Sequence, residues 1–344
     1  MSAPWRSTLP LAVLGTGAAL PGDAITTEAL VARITERFGF ARPRRALAVA
    51  ARMGITARHI VRDFDAAQEG PRPGDDNAAL CARAVQAALA AARLGVADIR
   101  YLIGHGSTPD SLLPGGIAHV ADALGYDGPH IELRQACTGF ANALMIASGL
   151  IAADPETIVA IVGSETGSLY FDPASLDAES GQLVNFVQMG DGAGAVLLAG
   201  APRGPARIDA AWFGTAGLGR APGISLAPGA RHFEHDFEAI RASGHELFDA
   251  GRDMAAALGH PIEQADRIIP HQVSGRIGAQ MAAHFGVAEV KAFVNADRIG
   301  NTGSAAIWIA LDALRCELAA GARVVALGAE ASKFMYGGFA YRHG

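Results

Sequence analysis

The amino-acid sequence predicts an α/β fold assembled from two duplicated halves. Short runs rich in valine, isoleucine and leucine alternate with longer alanine-rich stretches, which is the pattern of sheets covered by helices on their faces. Three local patterns recur in the same order along the chain, which indicates duplication. We place the boundary near Gly200, between an amino-terminal half of residues 1–200 and a carboxy-terminal half of residues 201–344.

The repeat consists of a strand that ends in histidine, a helix start at a polar residue before Thr-Gly, and an apolar segment that ends in glutamate. The three pairs are His105 and His271, Cys137 and Asn301, and Glu165 and Glu330, at offsets of 166 (271 − 105), 164 (301 − 137) and 165 (330 − 165) positions. One such pair could arise by chance, but three in order at a nearly constant offset indicate homologous halves.

Each half is predicted to run strand, helix, strand, helix, strand. In the first half the predicted elements are a helix over 77–93, a strand at 101–103, a helix over 116–124, a strand near 130–133, a helix over 138–152 and a strand at 158–162. In the second half they are a strand at 268–269, helices over 274–285 and 303–320, and a strand at 323–327. A long polar helix over 231–258 carries His232, His235 and His245 without the tight spacing of metal ligands.

Composition and charge exclude several classes of function. The net charge of −6 provides no basic field for phosphates, so no nucleic-acid partner is predicted. No apolar run approaches the ~18 residues that cross a bilayer, so no membrane span is predicted. Three scattered cysteines do not form a disulfide framework, which favours a reducing, cytoplasmic location.

Cys137 is the candidate nucleophile because a predicted strand leads into a predicted helix at this residue. The positive end of a helix dipole favours the thiolate form of a cysteine in that position. Gly139 leaves room for a substrate to approach closely. The alternative is a buried structural cysteine, the interpretation that suits Cys81 and Cys316 on the apolar faces of their predicted helices.

His271 and Asn301 are the other candidate catalytic residues. They occupy a strand end and a helix start in the second half, and loops that are equivalent under a pseudo-twofold axis would converge on one site with Cys137. Taken singly, a histidine at a strand end is an ordinary core or surface residue, and Asn301 is a good helix cap. The catalytic interpretation depends on the three residues together.

Five motifs occur in order along the chain: GSTPDSLLP at 106–114, QACTGFANAL at 135–144, GDGAGAVLL at 190–198, PHQVSGRI at 270–277 and GNTGSAAI at 300–307. Together they resemble the successive signatures of the ketoacyl-ACP synthase III branch of the thiolase superfamily. The resemblance implies a thiolase-like five-layered αβαβα fold, a homodimer and a ping-pong mechanism without a metal or redox cofactor. It also implies that thioesters of CoA or of acyl carrier protein are the substrates.

The resemblance also assigns roles to single residues. Cys137 would attack an acyl thioester and hold the acyl group, which divides one difficult step into two. The backbone N–H groups of Cys137 and of Ala329, in a predicted turn over 327–330, would stabilise the oxyanion. His271 and Asn301 would hydrogen-bond the thioester carbonyl of a malonyl-type donor and stabilise the enolate that forms as carbon dioxide leaves.

Two residues depart from the family pattern. Glu330 lies in a segment where the family carries a run of glycines, and two interpretations are open. It is either a structural residue that caps a neighbouring loop or pairs with Lys333, or a group that lies near the acyl-Cys and determines the acceptor. Arg134 stands just before the nucleophile, where it would bind the carboxylate of a dicarboxylic half-thioester or form a surface or dimer-interface ion pair.

A basic segment lies near the amino terminus. Eight arginines occur between Arg33 and Arg62, against the single acid Glu36. Within it, Arg44, Arg45 and Arg52 are the candidates for binding CoA phosphates or the acidic face of an acyl carrier protein. The alternative is a solvated amphipathic helix.

The sequence therefore predicts an acyltransferase that condenses its acyl-Cys decarboxylatively with a malonyl-type thioester in fatty acid, polyketide or related biosynthesis. One alternative is a transacylase of the same fold that moves the acyl group to an oxygen, nitrogen or sulfur nucleophile. A second alternative is a non-catalytic subunit that stabilises a condensing enzyme, against which the presence of Cys137, His271 and Asn301 argues.

Overall fold

A computed structural model of the chain describes residues 3–65, 70–177, 180–230 and 232–344. The strands are β1 (Trp5–Ser7), β2 (Leu11–Ala19), β3 (Ile25–Thr26), β4 (Ala57–Arg58), β5 (Tyr101–Gly106), β6 (His130–Leu133), β7 (Val159–Glu165), β8 (Gly192–Gly200), β9 (Arg207–Thr215), β10 (Ile224–Ser225), β11 (Glu234–His235), β12 (Arg267–Pro270), β13 (Arg323–Glu330) and β14 (Met335–Arg342). The α-helices are α1 (Thr27–Phe38), α2 (Pro43–Met53), α3 (Asn77–Ala92), α4 (Gly116–Leu124), α5 (Gly139–Ala153), α6 (Ser180–Gln188), α7 (Phe237–Ala257), α8 (Ile277–Phe285), α9 (Ala296–Ile299) and α10 (Ala306–Arg315).

Two groups of strands share one pattern of pairing. In the first group β5 is parallel to β7, β7 is antiparallel to β8, and β8 is antiparallel to β2. In the second group β12 is parallel to β13, β13 is antiparallel to β14, and β14 is antiparallel to β9. The groups meet where β2 and β9 pair through two residues, and β1 pairs with β9 although it opens the chain. The chain passes between the groups after β8, which ends at Gly200.

The helices form three layers around the two groups of strands, here called the first and the second sheet, which the pairing of β2 with β9 joins into one ten-stranded sheet. α5 and α10 lie between the sheets, where the rings of Phe140, Trp308 and Phe339 pack within 6 Å of one another, with centroids 5.5 to 5.9 Å apart. α3 and α4 cover the outer face of the first sheet, and α7 and α8 cover the outer face of the second. The order helix, sheet, helix, sheet, helix confirms the predicted five-layered αβαβα fold.

A smaller cluster of α1, α2 and α6 covers one end of the molecule. Two of the eight arginines in the basic segment are buried beneath it rather than exposed on a surface. Arg58 donates to the carbonyl of Phe186 and to the hydroxyl of Thr27, and Arg62 donates to the carbonyl of Phe171. These two arginines satisfy backbone carbonyls inside the cluster, so the surface patch is smaller than the sequence predicted.

Most predicted elements are present with shifted ends. The helix predicted over 303–320 begins as a 3₁₀ turn and ends at Arg315, and the helix predicted from 274 begins at Ile277. The helix predicted over 231–258 begins at Phe237; His235 instead belongs to β11, and position 231 lies outside the described residues. Within the described ranges, no helix combines the length and the apolar character that a membrane span requires.

Candidate active site

Cys137 lies in the short connection between β6 and α5, directly before the helix. Gly139, the first helical residue, is required by close packing: a Cβ at that position would lie 2.7 Å from Nδ1 of His105, at the end of β5. The predicted position of Cys137 at a helix start is therefore correct. Its thiol is free, as are those of buried Cys81 and exposed Cys316. Cys316 follows α10 in solvent, so its predicted place on an apolar helix face is wrong.

Glu330 caps the helix that follows Cys137. Its Oε2 atom accepts hydrogen bonds from the backbone N–H of Thr138 at 2.9 Å and from the Thr138 hydroxyl at 2.6 Å. Its Oε1 atom accepts a hydrogen bond from the hydroxyl of Ser332. Lys333, the other predicted partner of Glu330, instead donates to the carbonyl of Arg220. The predicted capping role of Glu330 is therefore present in the structure.

The turn at Asn301 is held in an equivalent way from the first half. Asn301 Oδ1 accepts from the N–H of Gly303 at 3.0 Å, but the 3₁₀ turn that begins at Gly303 has Thr302 as its N-cap, so Asn301 itself is not the helix cap that was predicted. Glu165 Oε2 accepts from the N–H of Ser304 at 3.2 Å and from its hydroxyl at 2.8 Å. Gly303 has a φ of 46°, and a Cβ there would lie 2.5 Å from this carboxylate, so the position requires glycine.

His271 follows β12 and is fixed by its backbone, whose N–H donates to the carbonyl of Leu327 on β13 at 2.8 Å. Its side chain is buried, and Nδ1 has no hydrogen-bond partner among the described residues. Burial lowers the pKa of His271 to about 4, so the imidazole is neutral at physiological pH. A neutral histidine can donate a hydrogen bond to a carbonyl oxygen without bringing a formal charge into the site.

The electrostatics of Cys137 differ from the sequence prediction. Burial raises the pKa of the Cys137 thiol well above its ordinary value, and the carboxylates of Glu330 and Glu165 raise it further. The helix dipole was predicted to lower this pKa. Burial of the thiol is the main cause of the difference, and Glu330 adds to it: its negative charge lies at the N–H of Thr138, just before the helix, where it opposes the dipole. The resting thiol is therefore protonated.

Strand β13 and the carboxylates of Glu165 and Glu330 connect the positions of the three predicted catalytic residues. The charge of Glu165, which is hydrogen-bonded to the turn after Asn301, raises the pKa of Cys137. His271 is bonded to β13 three residues before Glu330, which holds the turn after Cys137. Ala329 belongs to this strand and pairs with Tyr336, so the predicted turn over 327–330 is the end of β13. The turn lies at 331–334.

A cavity of about 650 Å³ opens beside Cys137. Its wall includes Glu330, Ser332 and Arg134, together with two loops at 107–112 and 224–230. Neither His271 nor Asn301 lines this cavity. The candidate nucleophile Cys137 is thus the one of the three predicted catalytic residues that lines this cavity.

Arg134 and the three candidate carrier-binding arginines occupy different surroundings. Arg134 pairs with Glu132 at 2.5 Å, which agrees with the ion-pair interpretation. Arg44, Arg45 and Arg52 are exposed on α2 and form no ion pair with any described residue.

Sequence reasoning did not single out Arg276, Ser332 or His105 as site residues. Arg276 is exposed five residues after His271, and its side chain packs against Gly54 at the end of α2. His105 is buried, accepts a hydrogen bond from Trp308 Nε1 at 3.2 Å and has its pKa lowered by burial to about 3. The motif around His271 contains Arg276 and the repeat contains His105, but no local signal marks Ser332. Within the described residues, no cluster of three metal-ligating side chains occurs.

Two segments of the chain match a known family. Residues 131–217 match 3-Oxoacyl-[acyl-carrier-protein (ACP)] synthase III, and residues 255–342 match 3-Oxoacyl-[acyl-carrier-protein (ACP)] synthase III C terminal. The beta-ketoacyl-[acyl-carrier-protein] synthase III of Nitratidesulfovibrio vulgaris is 30% identical over 288 residues, which cover 78% of this chain and 82% of that protein. The chain belongs to the 3-oxoacyl-[acyl-carrier-protein] synthase III family.

Solved structures agree with this membership. The 3-oxoacyl-(acyl carrier protein) synthase III of Pseudomonas aeruginosa PAO1 superimposes with a TM-score of 0.79 at 25% identity, covering 97% of this chain and 98% of that one. AbyA1, a tetronic acid condensing enzyme, superimposes with a TM-score of 0.80 at 25% identity, covering 97% of this chain and 100% of that one. The protein is thus a synthase III-like condensing enzyme that transfers acyl groups.

Proposed function

We propose that the protein carries an acyl group on Cys137 and condenses it with a malonyl-type thioester, with loss of carbon dioxide, in fatty acid or polyketide-type biosynthesis. The observation that carries the proposal is the position of Cys137, at the start of α5 and on the wall of a 650 Å³ cavity. A neutral thiol in this position is loaded by thioester exchange. The Cys137 sulfur bonds to the acyl carbon, and the departing CoA or carrier thiol takes up the proton.

The condensation step would use His271 and Asn301. A neutral His271 and the side-chain amide of Asn301 supply N–H donors for the thioester carbonyl of the malonyl-type donor, where negative charge develops as carbon dioxide leaves. The resulting carbon nucleophile attacks the acyl-Cys, the carbon–sulfur bond breaks, and Cys137 leaves as a thiolate that takes up a proton from water. The N–H groups of Cys137 and Ala329 are our candidates for stabilising the oxyanion in both steps. No metal or redox cofactor is needed by this sequence of steps.

We propose that α2 forms a docking surface for the carrier. Arg44, Arg45 and Arg52 are exposed there, and Arg276 reaches the end of the same helix from the loop that follows His271. A cluster of unpaired arginines suits the phosphates of CoA or the acidic face of an acyl carrier protein.

We further propose that the protein is a cytoplasmic homodimer. Leu112 and Leu113 expose 74% and 89% of their surface on a loop that borders the Cys137 cavity, and covering them by a second copy would remove apolar surface from water. A reducing cytoplasm suits three free thiols. The molar mass in solution, measured by light scattering for the wild type and for Leu113→Asp, tests the dimer.

Incubation with a panel of acyl-CoA and acyl-carrier-protein thioesters, followed by intact-protein mass spectrometry, tests the function. We expect an acyl adduct on Cys137 and, after a malonyl donor is added, carbon dioxide together with a 3-oxoacyl product. An adduct that disappears without release of carbon dioxide for any malonyl donor would contradict condensation and indicate transacylation.

A further inference from the structure

The cavity beside Cys137 is the space available to the acyl chain of the proposed acyl-enzyme. Cys137 belongs to its wall, whereas His271 and Asn301, which would bind the second substrate, do not. The volume of about 650 Å³ leaves room for a chain well beyond two carbons. The groups on this wall therefore determine which acyl groups Cys137 can carry.

Among the residues that the structure describes, three charged side chains line this cavity: Glu330, Asp110 and Arg134. Arg134, the cation of these three, already pairs with Glu132 at 2.5 Å. Glu330 and Asp110 bond to neutral N–H and O–H groups, so no cation is paired with either of them among the described residues. The described part of the wall consequently carries an excess of negative charge, centred on Glu330 and Asp110.

Glu330 is the anion that lies nearest to the chemistry. Three donors converge on its carboxylate: the Thr138 N–H, the Thr138 hydroxyl and the Ser332 hydroxyl. It is 2% exposed, and its charge acts on the Cys137 thiol. A fixed, buried carboxylate cannot move away from a second anion and is poorly screened by salt.

We propose that Glu330 makes this cavity select acyl groups that bear no negative charge, so that thioesters with a terminal carboxylate are excluded from Cys137. The inference rests on the proposed acyl-Cys function and adds the substrate class of that site. It also assigns Arg134 to its ion pair with Glu132 and not to a carboxylate at the end of the acyl chain.

The test compares two acyl donors of nearly the same size and shape. Succinyl-CoA ends in a carboxylate, and 4-oxopentanoyl-CoA carries a neutral acetyl group in its place. In either case the Cys137 sulfur forms a bond to the acyl carbon, the carbon–sulfur bond to CoA breaks, and CoA leaves as the thiol with the cysteine proton. Loading rates are measured by intact-protein mass spectrometry. We expect the wild type to load the neutral acyl group at least about tenfold faster than the anionic one.

Glu330→Gln keeps the size of the side chain and removes the charge. We expect the ratio of the two loading rates to fall at least about fivefold in this variant. Ser332→Ala is the matched control, because it removes a hydrogen bond to Glu330 and leaves the charge, so the ratio stays close to that of the wild type. A structural role for Glu330 would slow both donors alike and leave the ratio unchanged.

Three outcomes overturn the proposal. If the wild type loads the two donors at equal rates, the selectivity proposal is wrong, and this result needs no variant that folds. If the ratio of the two loading rates is unchanged in Glu330→Gln, the selectivity proposal is also wrong, but the acyl-Cys function stands. Loading of neither these donors nor any other thioester by the wild type overturns the proposed function itself and the selectivity with it.

Discussion

Thr138, the residue after Cys137, donates both its backbone N–H and its hydroxyl to Glu330, at 2.9 and 2.6 Å. The two residues belong to different halves of the chain. α5 has no side-chain cap of its own at Thr138, so the second half supplies the carboxylate that completes the helix start. The position of Cys137, the candidate nucleophile, therefore depends on a contact between the two predicted halves.

The reciprocal contact joins Glu165 to Ser304, at the helix start that follows Asn301. Glu165 also accepts hydrogen bonds from the hydroxyls of Ser107 and Thr108, on the loop after β5. Each predicted half thus holds a turn of the other, the one after Cys137 or the one after Asn301, through the glutamate that ends its third repeat segment. The matching positions of Glu165 and Glu330 in the repeat therefore have a structural explanation.

Two substitutions of Glu330 separate the effect of its charge from the effect of its hydrogen bonds. We expect Glu330→Gln to retain loading of neutral acyl groups within about threefold and to lose little stability, because the amide oxygen still accepts from Thr138 and Ser332 can accept from the amide. Glu330→Ala leaves buried donors without an acceptor and should lower the free energy of unfolding by about 1–3 kcal/mol. Denaturant unfolding together with loading rates checks both variants. A Gln variant of normal stability that loads but does not transfer its acyl group would instead identify Glu330 as a general base.

The elements of this fold could be predicted from sequence because their signals are local. The helix start at Cys137 and the strand that ends in His271 follow from apolar runs and glycines within a few positions. The thiol pKa could not be predicted, because it depends on burial in the tertiary structure and on the charge of Glu330, which is distant in sequence. Its own strand was predicted to end at 327, but pairing with β14 extends it to Glu330.

The basic segment shows a second limit of sequence reasoning. All eight arginines have the same local signal, but Arg58 and Arg62 are buried by contacts with residues more than 100 positions away. Tertiary hydrogen bonds to backbone carbonyls decide which arginines remain on the surface. The exposed residues of α2 are the ones that agree with the predicted patch.

Substitution of the three cysteines tests the nucleophile. We expect Cys137→Ala to abolish acyl loading, because no other thiol borders the cavity. Cys81→Ala and Cys316→Ala should load at the wild-type rate, since Cys81 is buried in the core beside α4 and Cys316 is exposed after α10. Intact-protein mass spectrometry measures all three variants. A persistent adduct in Cys137→Ala that tracks with another residue on peptide mapping would contradict the assignment.

Asn301→Ala separates loading from decarboxylation. The variant should still form the acyl-Cys, whereas release of carbon dioxide from malonyl-carrier protein should fall about 10²–10³-fold, the effect of losing one donor to a developing oxyanion. Loss of the hydrogen bond to the N–H of Gly303 should also lower the free energy of unfolding by about 0.5–1.5 kcal/mol. Thr26→Ala, which removes the cap of α1, is the control for that stability loss. Unchanged carbon dioxide release would remove Asn301 from the mechanism.

Charge reversal on α2 tests the carrier-docking surface. Arg45→Glu should raise the apparent KM for an acyl-carrier-protein substrate severalfold, and Arg44→Glu with Arg45→Glu should raise it about tenfold, because unpaired exposed cations are replaced by repulsive anions. The KM for a small thioester mimic should not change. The effect should weaken as salt rises, since exposed charges are screened over ~8 Å at physiological ionic strength.

Arg100→Glu is the matched control for Arg45→Glu. Arg100 is exposed and lies just before β5, whereas Ser107, on the cavity wall, follows the other end of that strand. Reversing the charge of Arg100 therefore changes the net charge by the same amount at a position away from the cavity. We expect its carrier KM to stay at the wild-type value. Equal losses on the carrier substrate and on the small mimic in the α2 variants would indicate a folding effect instead of docking.

The pH dependence of Cys137 alkylation tests the electrostatics of the site. Alkylation by iodoacetamide requires the thiolate. Because burial, Glu330 and Glu165 raise the pKa of Cys137 above its ordinary value, the alkylation rate should still be rising at pH 9.

The measurement uses the Cys316→Ala protein, since exposed Cys316 would react first. Buried Cys81, whose pKa is raised to about 12, should stay unmodified. Glu330→Gln in that background removes one of the two carboxylates, so the curve should shift to lower pH and alkylation at pH 8 should be faster. A plateau below pH 8 in the Cys316→Ala protein would mean that the helix dipole outweighs the carboxylates and that the resting nucleophile is a thiolate.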